Sequence, residues 1–180
     1  QRTRATREDS DSWSYTYDAL GQVTNGSRFL AANTPALGLA HAYTYDDIGN
    51  RKSTTVNSQT ATYTPNALNQ YTQRTTPAFL DVLGAAEAGT AVAVTVGANT
   101  ETAQRQGEVF YRQAPVDNSV NPQNVAVRVA VARNPAGAAV AGSQTRNTFV
   151  PKTPEAFTHD LDGNTTDDAK WHYAWNLENR

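Results

Sequence analysis

Cysteine is absent from this 180-residue chain, and so is methionine. Without a thiol there is no disulfide frame, no thiolate nucleophile and no cysteine-ligated metal. The missing cysteine does not choose a compartment, since secreted bacterial proteins and cytosolic ones both do without it. Methionine is missing even at position 1, as expected of a mature product or of a segment of a longer chain. Charge is also scarce. Charged residues make up 18% of the chain and the net charge is −2, so no strong field points to nucleic acid or to an anionic membrane. Lysine occurs three times against twelve arginines, and the one dense basic run, Arg2, Arg4 and Arg7, reads as a short solvated tail. No apolar run approaches the ~20 residues of a membrane-spanning helix. No signal-peptide pattern is visible. The catalytic signatures are missing too: no HExxH, no P-loop, no G-x-G-x-x-G and no G-x-S-x-G, Gly142-Ser143 lacking the second glycine.

What is present is a repeat. Five segments align: YTYDALGQ from Tyr15, YTYDDIGN from Tyr43, YTPNALNQ from Tyr63, FTHDLDGN from Phe157 and YAWNLENR from Tyr173. Each opens on an aromatic residue. Three residues later stands Asp18, Asp46, Asn66, Asp160 or Asn176, and three further on Gly21, Gly49, Asn69, Gly163 or Asn179. The pattern has a physical cause. Asp or Asn opening a type I turn accepts a hydrogen bond from the backbone two residues on. The fourth position needs positive φ, which Gly adopts freely and Asn tolerates. A type I turn followed by a left-handed residue makes a hairpin with a bulge. Each motif therefore predicts an entering strand, a tight turn and a returning strand. Trp13, Tyr15 and Tyr17 alternate onto one face, as do His41, Tyr43 and Tyr45, so stacked hairpins would align them as an aromatic ladder.

The motifs Tyr15–Gln22 and Tyr43–Arg51 resemble the YD repeats, also called RHS repeats, of very large secreted or surface bacterial proteins and of the animal teneurins. The resemblance covers about residues 1–77 and 156–180 and is most specific in its first two copies. It implies hairpins joined into a spiralling β-sheet, often a hollow shell, and an extracellular or cell-surface location. The shell-cleavage residues of that family have no counterpart here.

The period near twenty breaks once, between the third and fourth motifs, where about seventy extra residues intervene, enough for a small domain. In residues 78–155, Val92, Val94 and Val96 alternate with small residues, as do Val125, Val127, Val129 and Val131. Glu108–Arg112 and Phe149-Val150 are further strand candidates, and Pro115, Pro122, Pro135 and Pro151 mark turns. Short strands so spaced predict a β-sandwich, and the order resembles Ig-like modules of the glucodextranase B-domain type. Leu80–Ala88 could hold a helical turn, though Gly84 and Gly89 oppose a long helix. The expected fold class is all-β: stacked hairpin repeats interrupted by an Ig-like insert.

Candidate sites are few. Placing Gly163 at the sixth position of a calcium loop puts Asp160 and Asp162 at positions 3 and 5. Positions 1 and 12 are then Thr158 and Ala169, so the bidentate acid is missing; Asp160, Asp162 and Asp167 are the residues a calcium ion would use. The repeat frame accounts for Asp160 and Gly163 without metal, and no cofactor is expected. His41, His159 and His172 lack zinc-site spacing. Phe110 and Tyr111, on the insert, are candidate glycan contacts, because the repeat does not account for their rings. Asn25 and Asn164 open glycosylation sequons.

Residues 1–8 read as a returning strand and residues 171–180 as an entering strand with its turn. Open β-edges of this kind recruit partners, so pairing with adjoining repeats or with other copies of the chain is expected. The expected function is non-catalytic: a structural module of a secreted or surface YD-repeat protein that builds a shell or filament. The alternative is a glycan- or cell-surface-binding adhesion module acting through the insert.

Overall fold

The computed structural model describes residues 1–133 and 140–178. Among them the fold is all-β and antiparallel, with no α-helix and a single 3-10 turn at Ala31–Asn33. The first seven strands are β1 (Arg4–Thr6), β2 (Ser12–Tyr17), β3 (Val23–Leu30), β4 (Thr34–Tyr45), β5 (Arg51–Val56), β6 (Gln59–Pro65) and β7 (Tyr71–Arg74). They pair strictly with their sequence neighbours, forming one meander. This is what local hairpins produce when each short connection hands the chain straight to the adjacent strand.

Next come β8 (Phe79–Ala85), β9 (Ala91–Val96), β10 (Asn99–Thr102), β11 (Gln104–Gln106), β12 (Val109–Pro115), β13 (Gln123–Ala132) and β14 (Val140–Val150). They form two sheets, ordered β10-β9-β13-β14 and β11-β12-β8, which share one core. The Leu80–Ala88 segment is mainly strand. Its backbone pairs residue by residue with β12, which decides against a helical turn there. The turn expected at Pro135 lies outside the described residues. The meander then resumes: β15 (Glu155–Ala156) pairs with β7, and β16 (Thr158–His159) forms a hairpin with β17 (Thr165–Asp167). A backbone bond from Phe157 to Thr72 and another from Tyr173 to Thr166, both 2.9 Å, carry the ladder onward on either side of that hairpin.

Burial is uneven along the chain. Among the described residues, every fully buried apolar side chain lies between Val92 and Val150. Val92, Val94 and Val96 are 0, 2 and 6% exposed, and the register sets them beside Val131, Val129 and Val127 of the neighbouring strand. Phe110 closes the core from the opposite sheet, facing Gly84, where a Cβ would come within 2.5 Å of the ring. The meander has no comparable core. On one face Trp13 stacks on Tyr15 (6.3 Å) and on His41 (6.1 Å), with Gly26 seated between Tyr15 and His41 in register. The opposite face carries hydroxyl pairs: Thr16 with Thr24, Thr44 with Ser53, Thr55 with Thr60, and Thr62 with Thr75, at 2.6–3.0 Å. A sheet with one half-buried aromatic face and one polar face buries little per hairpin and depends on its neighbours.

The two parts are stitched together by polar contacts. Gln106 donates to the Pro35 carbonyl (2.9 Å) and accepts from the Leu37 amide (3.1 Å). Tyr111 lies over Gly38, whose φ of +72° and lack of a Cβ admit the ring, and its hydroxyl donates to Asp81 (2.7 Å). Where the chain crosses between the parts, Asn118 is completely buried and donates to the Pro151 and Thr76 carbonyls at 2.8 and 3.3 Å.

Candidate functional site

The repeat turns share one geometry. In the first, the Gly21 amide donates to the Asp18 carbonyl (3.1 Å), and the amides of Leu20 and Gln22 both donate to Asp18 Oδ1 (3.0 and 2.8 Å). Asp46, Asn66 and Asp160 do the same with Ile48 and Asn50, Leu68 and Gln70, and Asp162 and Asn164. Gly21, Gly49, Asn69 and Gly163 have φ of +86, +93, +62 and +90°, so the left-handed position follows each Asx-opened turn. Asn176 accepts from the Glu178 amide (2.9 Å), while Asn179 lies outside the described residues.

A contact between repeats was not apparent in the sequence. In three of the motifs the second aromatic reaches back to a backbone carbonyl in or next to the strand that precedes its hairpin. Tyr45 donates to the Val23 carbonyl (3.0 Å), Tyr17 to the Arg2 carbonyl (2.6 Å) and Trp175 Nε1 to the Thr165 carbonyl (2.7 Å). Val23 and Thr165 each lie two residues past their left-handed glycine, so the clamp recurs in register. In the third motif Pro65 replaces the second aromatic and cannot donate. There the joint is closed from the other side, the Arg51 amide donating to the Tyr71 hydroxyl (2.8 Å). The sequence signal for this clamp is the second ring of Y-x-Y-D, which reads at first as one more rung of the ladder.

The remaining candidate residues fall apart as a site. Phe110 is 6% exposed within the core, while Tyr111, the next residue of the strand, points the opposite way. Successive residues of a strand alternate faces, so the two cannot form one platform. Among the described residues no group of three His, Asp or Glu side chains is placed to hold a metal ion. Asp160 spends its oxygens on the turn, Oδ2 accepting from the Asn164 side chain (3.0 Å), and Asp162 is exposed. Hydrogen bonds from Asn164, side chain first and then backbone, outweigh desolvation and hold the Asp160 carboxyl below its ordinary 3.8. Asp167 accepts from the Ala169 amide (2.7 Å) and sits 3.0 Å from His172 Nδ1. Of the two sequons, Asn25 is exposed and accepts from Ser27 Oγ (3.0 Å), whereas the Asn164 side-chain nitrogen is committed to Asp160.

The sheet edges are the most distinctive surfaces. On one side β1 uses one backbone edge to pair with β2, and no other strand among the described residues pairs with its second edge. On the other side His172 bridges to Asp167 and Tyr173 bonds to Thr166, forming the last described rung of the ladder. Trp171, Tyr173 and Trp175 stand 60, 37 and 41% exposed beside it. No protein-family model matches this chain, and neither does any curated protein sequence.

Proposed function

We propose that this chain is a non-catalytic structural module of the YD-repeat type, interrupted by an Ig-like insert, which assembles through its β-edges into a shell or filament at the cell surface. The observation that carries this reading is the in-phase meander. Four turns of one geometry and a recurring aromatic clamp join successive hairpins along the meander. The expected returning strand at residues 1–8 and the expected entering strand at residues 171–180 would each be the partner that the other's hairpin needs. Unpaired strand edges are templates for further pairing, with adjoining repeats or with another copy. Head-to-tail pairing that does not close gives a filament. The extracellular setting rests on the resemblance to YD-repeat proteins.

The test is light scattering and electron microscopy of the purified chain across a dilution series. Concentration-dependent oligomers or fibres are expected, and Ala5→Pro, which places a proline in β1, should abolish them. A monomer that persists at every concentration would overturn the assembly reading. The alternative is adhesion through the insert, where Phe110 is a core residue and Tyr111 lines a surface cleft.

A further inference from the structure

The aromatic face of the meander ends in a cleft of about 490 Å³ between β6, β7, β16 and β17 and the segment that follows β17. Five of its walls are rings, those of Tyr63, Tyr71, Phe157, Tyr173 and Trp175. They come from three separate repeats and meet only through the sheet. Tyr63 and Tyr71 tilt against each other at 5.2 Å. Tyr173 and Trp175 are 37 and 41% exposed. Their orientations are fixed: Tyr173 donates to Asp168 Oδ2 (2.8 Å) and Trp175 Nε1 to the Thr165 carbonyl. Polar groups punctuate the wall. Arg74 supplies a guanidinium that is neutralised by Glu155, Asp168 supplies a carboxylate, and His159 and the Tyr71 hydroxyl complete the rim. The Tyr71 oxygen accepts from Arg51, which leaves its proton free to donate.

We propose that this cleft is a saccharide-binding site that takes one or two pyranose rings. A pyranose has an apolar C–H face and a rim of hydroxyls. Rigid exposed aromatic faces suit the first, and the Tyr71 hydroxyl and the His159 imidazole at the rim suit the second. The volume falls within the roughly 300–1,000 Å³ of small-ligand sites. A quaternary ammonium ion also favours aromatic walls, and choline is therefore the competing ligand in the test. Further strands would add edge-on, about 4.8 Å beyond the last one in the plane of the sheet, and would leave this face open. The site therefore goes beyond the assembly reading and does not depend on it.

The test is saturation-transfer NMR of the purified chain with methyl glucoside, galactoside and mannoside and with N-acetylglucosamine, tryptophan fluorescence following the titration. Saturable transfer to the ring C–H protons of at least one sugar is expected. Trp175→Leu and Tyr173→Ala should weaken it at least about tenfold, while Tyr111→Ala on the insert leaves it unchanged. Trp175→Phe, which keeps a stacking ring, should retain most of the binding and decides the matter where the leucine variant does not fold. Absence of transfer to every sugar tested overturns the proposal. So does binding lost with Tyr111 rather than with Trp175, or saturable binding of choline alone. Sizing of the same samples reports on assembly separately, so the two readings fail independently.

Discussion

Glu155→Ala should be among the most damaging single changes outside the sandwich core. Glu155 is 3% exposed, and its carboxylate pairs with Arg74, eighty-one positions earlier, across the β7–β15 register. Arg74 Nε donates to it at 2.6 Å, and the guanidinium also lies 6.0 Å from the centre of the Tyr63 ring. Removing the acid leaves a half-buried guanidinium without its counter-charge. Breaking a fully buried pair costs about 3–5 kcal/mol. The Arg74 side chain is 37% exposed, so water recovers part of that, and about 2–3 kcal/mol is the expected loss. At about 2–4 °C per kcal/mol for a chain of this size, the thermal midpoint should fall by roughly 4–12 °C. Far-UV circular dichroism in a urea titration measures the free energy, and tryptophan fluorescence follows Trp171 and Trp175, which lie beyond the junction. A double-mutant cycle isolates the pair: Arg74→Met with Glu155→Leu should recover most of the stability, because an apolar pair can replace a buried ion pair. A Glu155→Ala loss within about 0.5 kcal/mol, or a coupling energy near zero, would refute the reasoning.

Three further outcomes are expected. Tyr45→Phe removes the hydroxyl that clamps Val23 while keeping the ring, and should cost about 0.5–1.5 kcal/mol in denaturant titration; no loss would mean the clamp contributes only orientation. Phe110→Ala should cost about 3–5 kcal/mol, and Gly84→Val about 1–3 kcal/mol by overpacking against that ring, the two effects being strongly non-additive in calorimetry. For acid, the folded Asp160 carboxyl binds its proton less tightly than the unfolded chain does, so its stabilisation is complete above the unfolded value near 3.8 and is lost as pH falls through the lower folded value. Asp160→Asn, which copies the third repeat, should flatten the midpoint-versus-pH curve in that window, and an unchanged slope would remove the turn carboxylate from the account of acid sensitivity.

The Asx turns and the valine alternation were legible in the sequence because their causes are local. Asp18 closes its bonds within four residues, and Gly21 answers a φ that its own turn imposes. Val92, Val94 and Val96 point one way because a strand has a period of two. The acidic run from Phe157 was ambiguous on its own, since calcium loops and turns both use Asp and Gly; the backbone bonds to Asp160 are those of a turn. Phe110 beside Tyr111 looked like a ring platform until the pleat sent one inward and the other outward.

What the sequence alone determined is that this chain has no thiol chemistry, no strong field, a five-fold turn motif and an interruption rich in alternating valine. Composition and short-range hydrogen bonding suffice for each of those. The tertiary structure decided which distant residues meet: Glu155 with Arg74, Tyr45 with Val23, Tyr111 with Gly38, and the rings of Tyr63, Tyr71, Phe157, Tyr173 and Trp175 around one cleft. Such meetings depend on strand register across a sheet, and register is a property of paired chains that a single stretch of residues does not carry.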